Sequence, residues 1–69
     1  MKISSRNIVE GKIIRLIHGG VHTEVTLELP GGQQLVSMTT RASAQRLGLT
    51  EGGPVRAVIK ASNVILENE

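Results

Sequence analysis

Three short polar segments of this chain combine hydroxyl and cationic side chains that could bind a ligand. Residues 4–7 read SSRN, residues 60–63 read KASN and residues 40–43 read TRAS, and none of the three contains a carboxylate. A tetrahedral oxyanion is bound by converging N–H and O–H donors and one or two cations, with no carboxylate nearby to repel it. The segments therefore indicate a small-oxyanion site. The simpler alternatives are, respectively, a polar chain end, a β-bulge and a helix N-cap.

The remaining polar residues do not predict an enzyme or a metal centre. The chain has no Cys and no Asp, and no Ser or Thr stands in a recognisable arrangement with a His and an acid. His18 and His22 are four residues apart, but Gly19 and Gly20 between them disfavour a helix that would bring both imidazoles onto one face. Two histidines without a neighbouring carboxylate or thiolate make a poor zinc site, so we expect surface histidines in a hairpin.

Composition argues against nucleic-acid and membrane partners. The formal net charge is +2, and there is no Phe, Tyr or Trp on which bases could stack. No apolar run approaches the ~20 residues of a membrane-spanning helix. The N-terminal sequence MKISSRN also lacks the apolar region of a signal peptide. Since the absence of Cys fits a reducing compartment, we expect a soluble cytoplasmic protein with no nucleic-acid and no membrane partner.

The length of 69 residues predicts a single domain, residues 1–69. Its own hydrophobic core is expected to be too small to stabilise the fold alone. A chain this small buries only ~60% of the surface that its unfolded state exposes. Disulfides are excluded and large aromatic side chains are missing, so association with other copies of the chain is the remaining support.

Paired glycines divide the apolar residues into strands. The pairs precede or follow apolar segments, which predict strands near 9–18, 21–29, 33–39, 54–60 and 63–67. The clearest alternation places five residues on one buried face of the second strand: Val21, Thr23, Val25, Leu27 and Leu29.

The first strand and the helix complete the predicted fold. Ile13 and Ile17 are expected on one face of the first strand, and Ile14 and Leu16 on the other, which predicts cover on both sides. A short helix is predicted after the N-cap Thr40 and before Gly48. This order of elements predicts an all-β fold, a small five-stranded OB-like antiparallel barrel with one short helix between strands 3 and 4.

Three longer stretches of the chain read SSRNIVEGKIIRLIHGGVHTEV, GGQQLVSMTTRAS and LGLTEGGPVRAVIKASNVIL, and together they cover almost the whole chain. In this order and spacing they resemble the Mop family, the molbindins, which also occur as TOBE-type domains in molybdate transporters and regulators. The resemblance implies a homohexamer, a trimer of dimers, that binds molybdate or tungstate at subunit interfaces. It also implies intracellular molybdenum storage or homeostasis, with the oxyanion as ligand and no catalytic cofactor.

The family segments S-A-R-N and K-S-T line the anion site, and the resemblance carries that role to seven positions here: Ser4, Ser5, Arg6, Asn7, Lys60, Ala61 and Ser62. Thr40 and Ser43 are weaker candidates. Ser5 replaces the common Ala, and Ala61 replaces a frequent Ser, which leaves only a backbone N–H there.

Because these segments lie at opposite chain ends, we expect an interface between subunits to pool them. The alternative functions are a structural oligomerisation module and a general oxyanion binder without molybdate specificity.

Overall fold

The computed structural model describes residues 6–68, which contain four strands, one α-helix and one 3-10 turn. These are β1 (Asn7–His18), β2 (His22–Glu28), β3 (Gln34–Thr40), α1 (Arg41–Arg46), β4 (Pro54–Ile59) and the C-terminal 3-10 turn (Ala61–Asn63). The first four predicted strands and the predicted helix are therefore confirmed, with strand ends within two residues of those expected. No helix in the described part is long and apolar enough to cross a membrane.

The strands form one curled antiparallel sheet in the order β3-β2-β1-β4. Its core consists of Ile13 from β1 with Val25 and Leu27 from β2. The burial predicted for Thr23, Val25 and Leu27 is confirmed, but Thr26 on the opposite face is buried as well and Val21 is 69% exposed, so the alternation predicted for residues 21–29 is only partly right. The side chain of Ala44 is buried as well, so α1 contributes to the interior.

The predicted facing of β1 is wrong, because the strand contains a bulge. Ile13 lies opposite Leu27 and Leu16 opposite Val25, so Ile13 and Leu16 share the core face. The register shifts between Ile13 and Arg15, which leaves one extra residue, Ile14, in β1. An inserted residue resets the alternation of faces, and nothing in the local sequence marks its position.

The fifth strand predicted near 63–67 is also wrong. Asn63 N–H donates to the Lys60 carbonyl at 2.9 Å and Val64 N–H to the Ala61 carbonyl at 3.2 Å, so the chain turns locally. Residues 64–68 form no strand, and β3 and β4 are not paired with each other in residues 6–68. The described chain is consequently a four-stranded sheet and not a closed five-stranded barrel.

Candidate oxyanion site

The pairing of β1 with β4 brings two of the three polar segments together. Asn7 lies opposite Ile59, so Arg6 and Lys60, one position further out, flank the same end of this strand pair. The two segments lie at opposite ends of the sequence but not of the folded chain, so this separation is not a reason to expect that an interface between subunits pools them. Long-range strand pairing within one chain already makes them neighbours. We call Arg6, Asn7, Lys60 and the following turn, Ala61–Asn63, the basic end.

Both cations of the basic end are exposed, and neither forms an ion pair within residues 6–68. The nearest carboxylate along β1 and β4 is that of Glu10, and it accepts a hydrogen bond from Arg56 at 3.2 Å. This carboxylate is thus already neutralised by another cation. The basic end consequently presents positive charge to solvent, as an anion site requires.

The 3-10 turn adds hydrogen-bond donors at the same end. The first N–H group of the turn that donates a hydrogen bond is that of Asn63. The N–H groups of Ala61 and Ser62 come before it in the chain and donate no hydrogen bond within residues 6–68. Ser62 is exposed, and its hydroxyl has no partner in that part of the chain. An external acceptor could therefore receive hydrogen bonds here, including one from the backbone of Ala61, whose side chain has none to offer.

The N-terminal donors are only partly described. Ser4 and Ser5 lie outside the described residues. Asn7 opens β1, is exposed and takes part in the pairing with β4. Of the seven residues assigned from the resemblance, five are described, and all five lie at the basic end.

The third polar segment has a structural role at the other end of the sheet. The Thr40 hydroxyl caps α1 by accepting a hydrogen bond from Ser43 N–H at 3.0 Å. Arg41 donates through its backbone N–H to the Val21 carbonyl and through its guanidinium to the Gly19 carbonyl. Thr40 pairs with His22, near the far end of β1, so the sheet does not bring Thr40 or Ser43 to the basic end of the same chain.

Within residues 6–68, His18 and His22 belong to no group of potential metal ligands. His18 Nδ1 lies 2.9 Å from the hydroxyl of Thr23, a fully buried residue. Sequence reasoning missed this contact, because only the register of β1 against β2 shows it. Residues 6–68 contain no group of three or more His, Cys, Asp or Glu side chains that could hold a metal ion.

A cleft of about 360 Å³ lies between β3 and β4, and the sequence analysis did not predict it. Its lining is mostly aliphatic, and Arg56 is the charged residue in it. Hydrophobic walls do not supply the donors that an oxyanion needs, so this cleft is not the candidate anion site.

Comparison with known proteins identifies the family. The TOBE domain model matches residues 3–66. Molybdenum-pterin-binding protein 1 of Clostridium pasteurianum is 39% identical over 66 residues, which are 96% of this chain and 97% of that protein.

Solved structures agree with this result. MopII from Clostridium pasteurianum superposes with a TM-score of 0.91 at 37% identity, over 97% of this chain and 100% of that one. The cytoplasmic molybdate-binding protein ModG, in a form with molybdate bound, gives a TM-score of 0.90 at 46% identity, over 94% of this chain and 46% of that one. The curled sheet with its short helix thus matches the OB-like fold of these proteins, and the chain belongs to the TOBE domain family, in its Mop (molbindin) group.

Proposed function

We propose that the chain binds molybdate or tungstate at the basic end and serves intracellular molybdenum storage or homeostasis in the cytoplasm, without catalysis. The observation that supports this most is the register of Asn7 against Ile59, which makes Arg6 and Lys60 neighbours. Two cations balance the charge of a dianion. The hydroxyls of Ser4, Ser5 and Ser62, with the amide of Asn7 and the Ala61 N–H, supply the donors for its oxygens.

The relatives support the choice of ligand. ModG is a cytoplasmic molybdate-binding protein whose structure contains molybdate. The Clostridium pasteurianum relatives are named for a molybdenum-pterin. A pterin ring is usually held by stacking, and this chain has no aromatic residue to stack on it. The inorganic oxyanion is therefore the ligand we propose.

The site is proposed to lie at an interface in a homohexamer, a trimer of dimers. In the single chain every described residue of the basic end is exposed. Exposed cations attract an anion weakly, because water and salt screen the charges. Cover by a second subunit would lower the local dielectric constant and strengthen the same contacts. Interface burial thus explains how so small a chain could hold an anion firmly.

Calorimetric titration with molybdate, tungstate, sulfate and phosphate, with the mass measured in parallel by sedimentation, tests the proposal. We expect saturable binding of molybdate and tungstate by an assembly of six chains. Equal binding of all four anions would support a general oxyanion binder instead. An assembly that binds none of them would support a structural oligomerisation module.

A further inference from the structure

The side chain of Glu51 joins two parts of the molecule that are distant in the sequence. Its carboxylate oxygen Oε2 accepts a hydrogen bond at 3.1 Å from the backbone N–H of Leu16, a residue 35 positions away. Glu51 lies in the turn that precedes β4, whereas Leu16 lies in the second half of β1. Glu51 is outside the candidate anion site, so its contact with β1 needs a separate explanation.

The bulge in β1 explains why the Leu16 N–H needs a partner. Alternate residues of a regular strand direct their N–H groups to the same side, so the group of Arg15 should follow that of Ile13. The N–H of Ile13 donates to the Gly53 carbonyl at 2.9 Å, but the extra residue of the bulge transfers the next position on this side to Leu16. The regular pairing of β1 with β4 ends before Ile13. The carboxylate of Glu51 therefore takes the place of a strand partner.

The turn before β4 holds Glu51 at this edge of β1. Gly53 N–H donates to the Thr50 carbonyl at 3.0 Å, which closes a turn with Glu51 and Gly52 at its central positions. Gly52 has a φ of +85°, which favours glycine, and a Cβ at Gly53 would lie 2.9 Å from the Thr50 hydroxyl. We use the term β1 clamp for three hydrogen bonds: Leu16 to Glu51, Ile13 to Gly53 and Gly52 to Ile13.

The strand pair beside the β1 clamp contains little that specifies its register. Gly11 is opposite Val55 and has no side chain to pack against it. Pro54 is opposite Lys12 and has no N–H to donate. A slip of one residue reverses the face of every side chain in a strand, and strands that contain glycine resist such a slip weakly. The β1 clamp is therefore well placed to fix the register where β4 begins.

We propose that Glu51 is a positioning residue for the anion site. By completing the β1 clamp, it fixes the register of β1 against β4, and this register places Arg6 and Lys60 together at the basic end. The inference rests on the proposed function. Glu51 does not touch the anion, since the β1 clamp and the basic end lie at opposite ends of the strand pair. Its direct electrostatic effect has the opposite sign, because removing a carboxylate favours the binding of an anion.

Three substitutions of Glu51 separate the hydrogen bond from the charge. Glu51→Ala removes both. Glu51→Gln removes the charge, but its amide oxygen can still accept the Leu16 N–H. Glu51→Asp keeps the charge, but its side chain is one methylene shorter. We expect calorimetry to show molybdate binding weakened about three- to tenfold in Glu51→Ala and Glu51→Asp, and unchanged in Glu51→Gln.

Glu28→Ala is the matched control, because it removes the same charge from an exposed position of β2. It should bind molybdate at least as tightly as wild type. If Glu51→Ala fails to fold, Glu51→Asp and Glu51→Gln give the same comparison. Affinities that follow the charge would overturn the proposal, with tighter binding in Glu51→Ala and Glu51→Gln and no change in Glu51→Asp. Equal affinities in wild type and all three variants would overturn it as well.

Hydrogen exchange measured by mass spectrometry tests the register without any anion. Peptides that cover residues 7–16 of β1 should exchange faster in Glu51→Ala and Glu51→Asp than in wild type, and at the wild-type rate in Glu51→Gln. Faster exchange confined to Leu16 and the turn before β4 would overturn the proposal, because the β1 clamp would then act only locally. If wild type binds no molybdate, the proposed function fails, and hydrogen exchange still decides whether Glu51 fixes the register.

Discussion

Similar aliphatic side chains are buried at the centre of the sheet and exposed in residues 64–66, after the basic end. Ile13, Val25 and Leu27 are no more than 3% exposed. Ile65 and Leu66 are about nine-tenths exposed, and they follow a turn whose first donors have no partner within residues 6–68. The centre stabilises the single chain. The residues after β4 contribute little to that core, and some of them belong to the anion site that we propose.

Truncating one leucine in each region tests this difference and should give the largest effect on stability. Leu27→Ala should lower the free energy of unfolding by ~2–5 kcal/mol, because it leaves a cavity in the core. That loss is comparable with the ~3–10 kcal/mol expected for the whole stability of such a chain. Leu66→Ala should lower the free energy of unfolding less than Leu27→Ala at every protein concentration, because Leu66 is 89% exposed in the single chain and its truncation leaves no cavity there.

Urea denaturation followed by circular dichroism at two or more protein concentrations distinguishes these effects. If both variants lost similar stability at every concentration, the contrast between the centre and the C-terminal segment would be wrong.

The next largest effect concerns the cations of the basic end. Arg6→Ala or Lys60→Ala should weaken molybdate binding by about ten- to a hundredfold, because each removes a charged hydrogen bond that contributes ~1.5–3 kcal/mol. Lys12→Ala is the control, since Lys12 lies further along β1, opposite Pro54 of β4. Calorimetry should find it close to wild type. Equal affinities in all three variants would remove the basic end from the site.

A smaller effect is expected at the opposite end of the sheet. Thr40→Ala removes the hydroxyl that caps α1, and loss of such a cap typically costs ~1 kcal/mol of stability. Its molybdate affinity should not change if the third polar segment is structural. Ser43→Ala keeps the capped N–H and should lose less stability. A clear loss of molybdate affinity in Thr40→Ala would show that the third polar segment contributes to the anion site.

The smallest effect is expected for the ion pair beside the basic end. The side chains of Arg56 and Glu10 are 64% and 76% exposed, so their attraction is screened. Glu10→Gln should change the free energy of unfolding by ~0–1 kcal/mol, and by less at high salt. Denaturation at low and high salt measures this, and a salt-independent loss of several kcal/mol would contradict the assignment of this pair as a surface contact.

The sequence predicted correctly those features that depend on residues close together in the chain. The buried positions Thr23, Val25 and Leu27 of β2 and the Thr40 cap of α1 can be predicted from neighbouring residues. The bulge at Ile14 could not, because any residue of an apolar run can be the extra one.

Tertiary pairing explains the other differences from expectation. Residues 64–66 are aliphatic and include two β-branched residues, but a strand also needs a partner, and these residues pair with no strand within residues 6–68. The candidate site shows the same limit. Its residue types could be recognised in the sequence, whereas the placement of Arg6 and Lys60 at the same end of a strand pair depends on the register of β1 against β4.

Anomalous scattering from molybdenum in crystals grown with molybdate locates the bound anion. We expect an anomalous peak at the basic end, placed so that oxygens of the molybdate lie within hydrogen-bonding distance of the Arg6 guanidinium and the Lys60 ammonium, with the turn Ala61–Asn63 beside it. A peak beside Thr40 and Ser43 instead, or no ordered molybdenum in crystals of a protein that binds molybdate in solution at full occupancy, would contradict this placement.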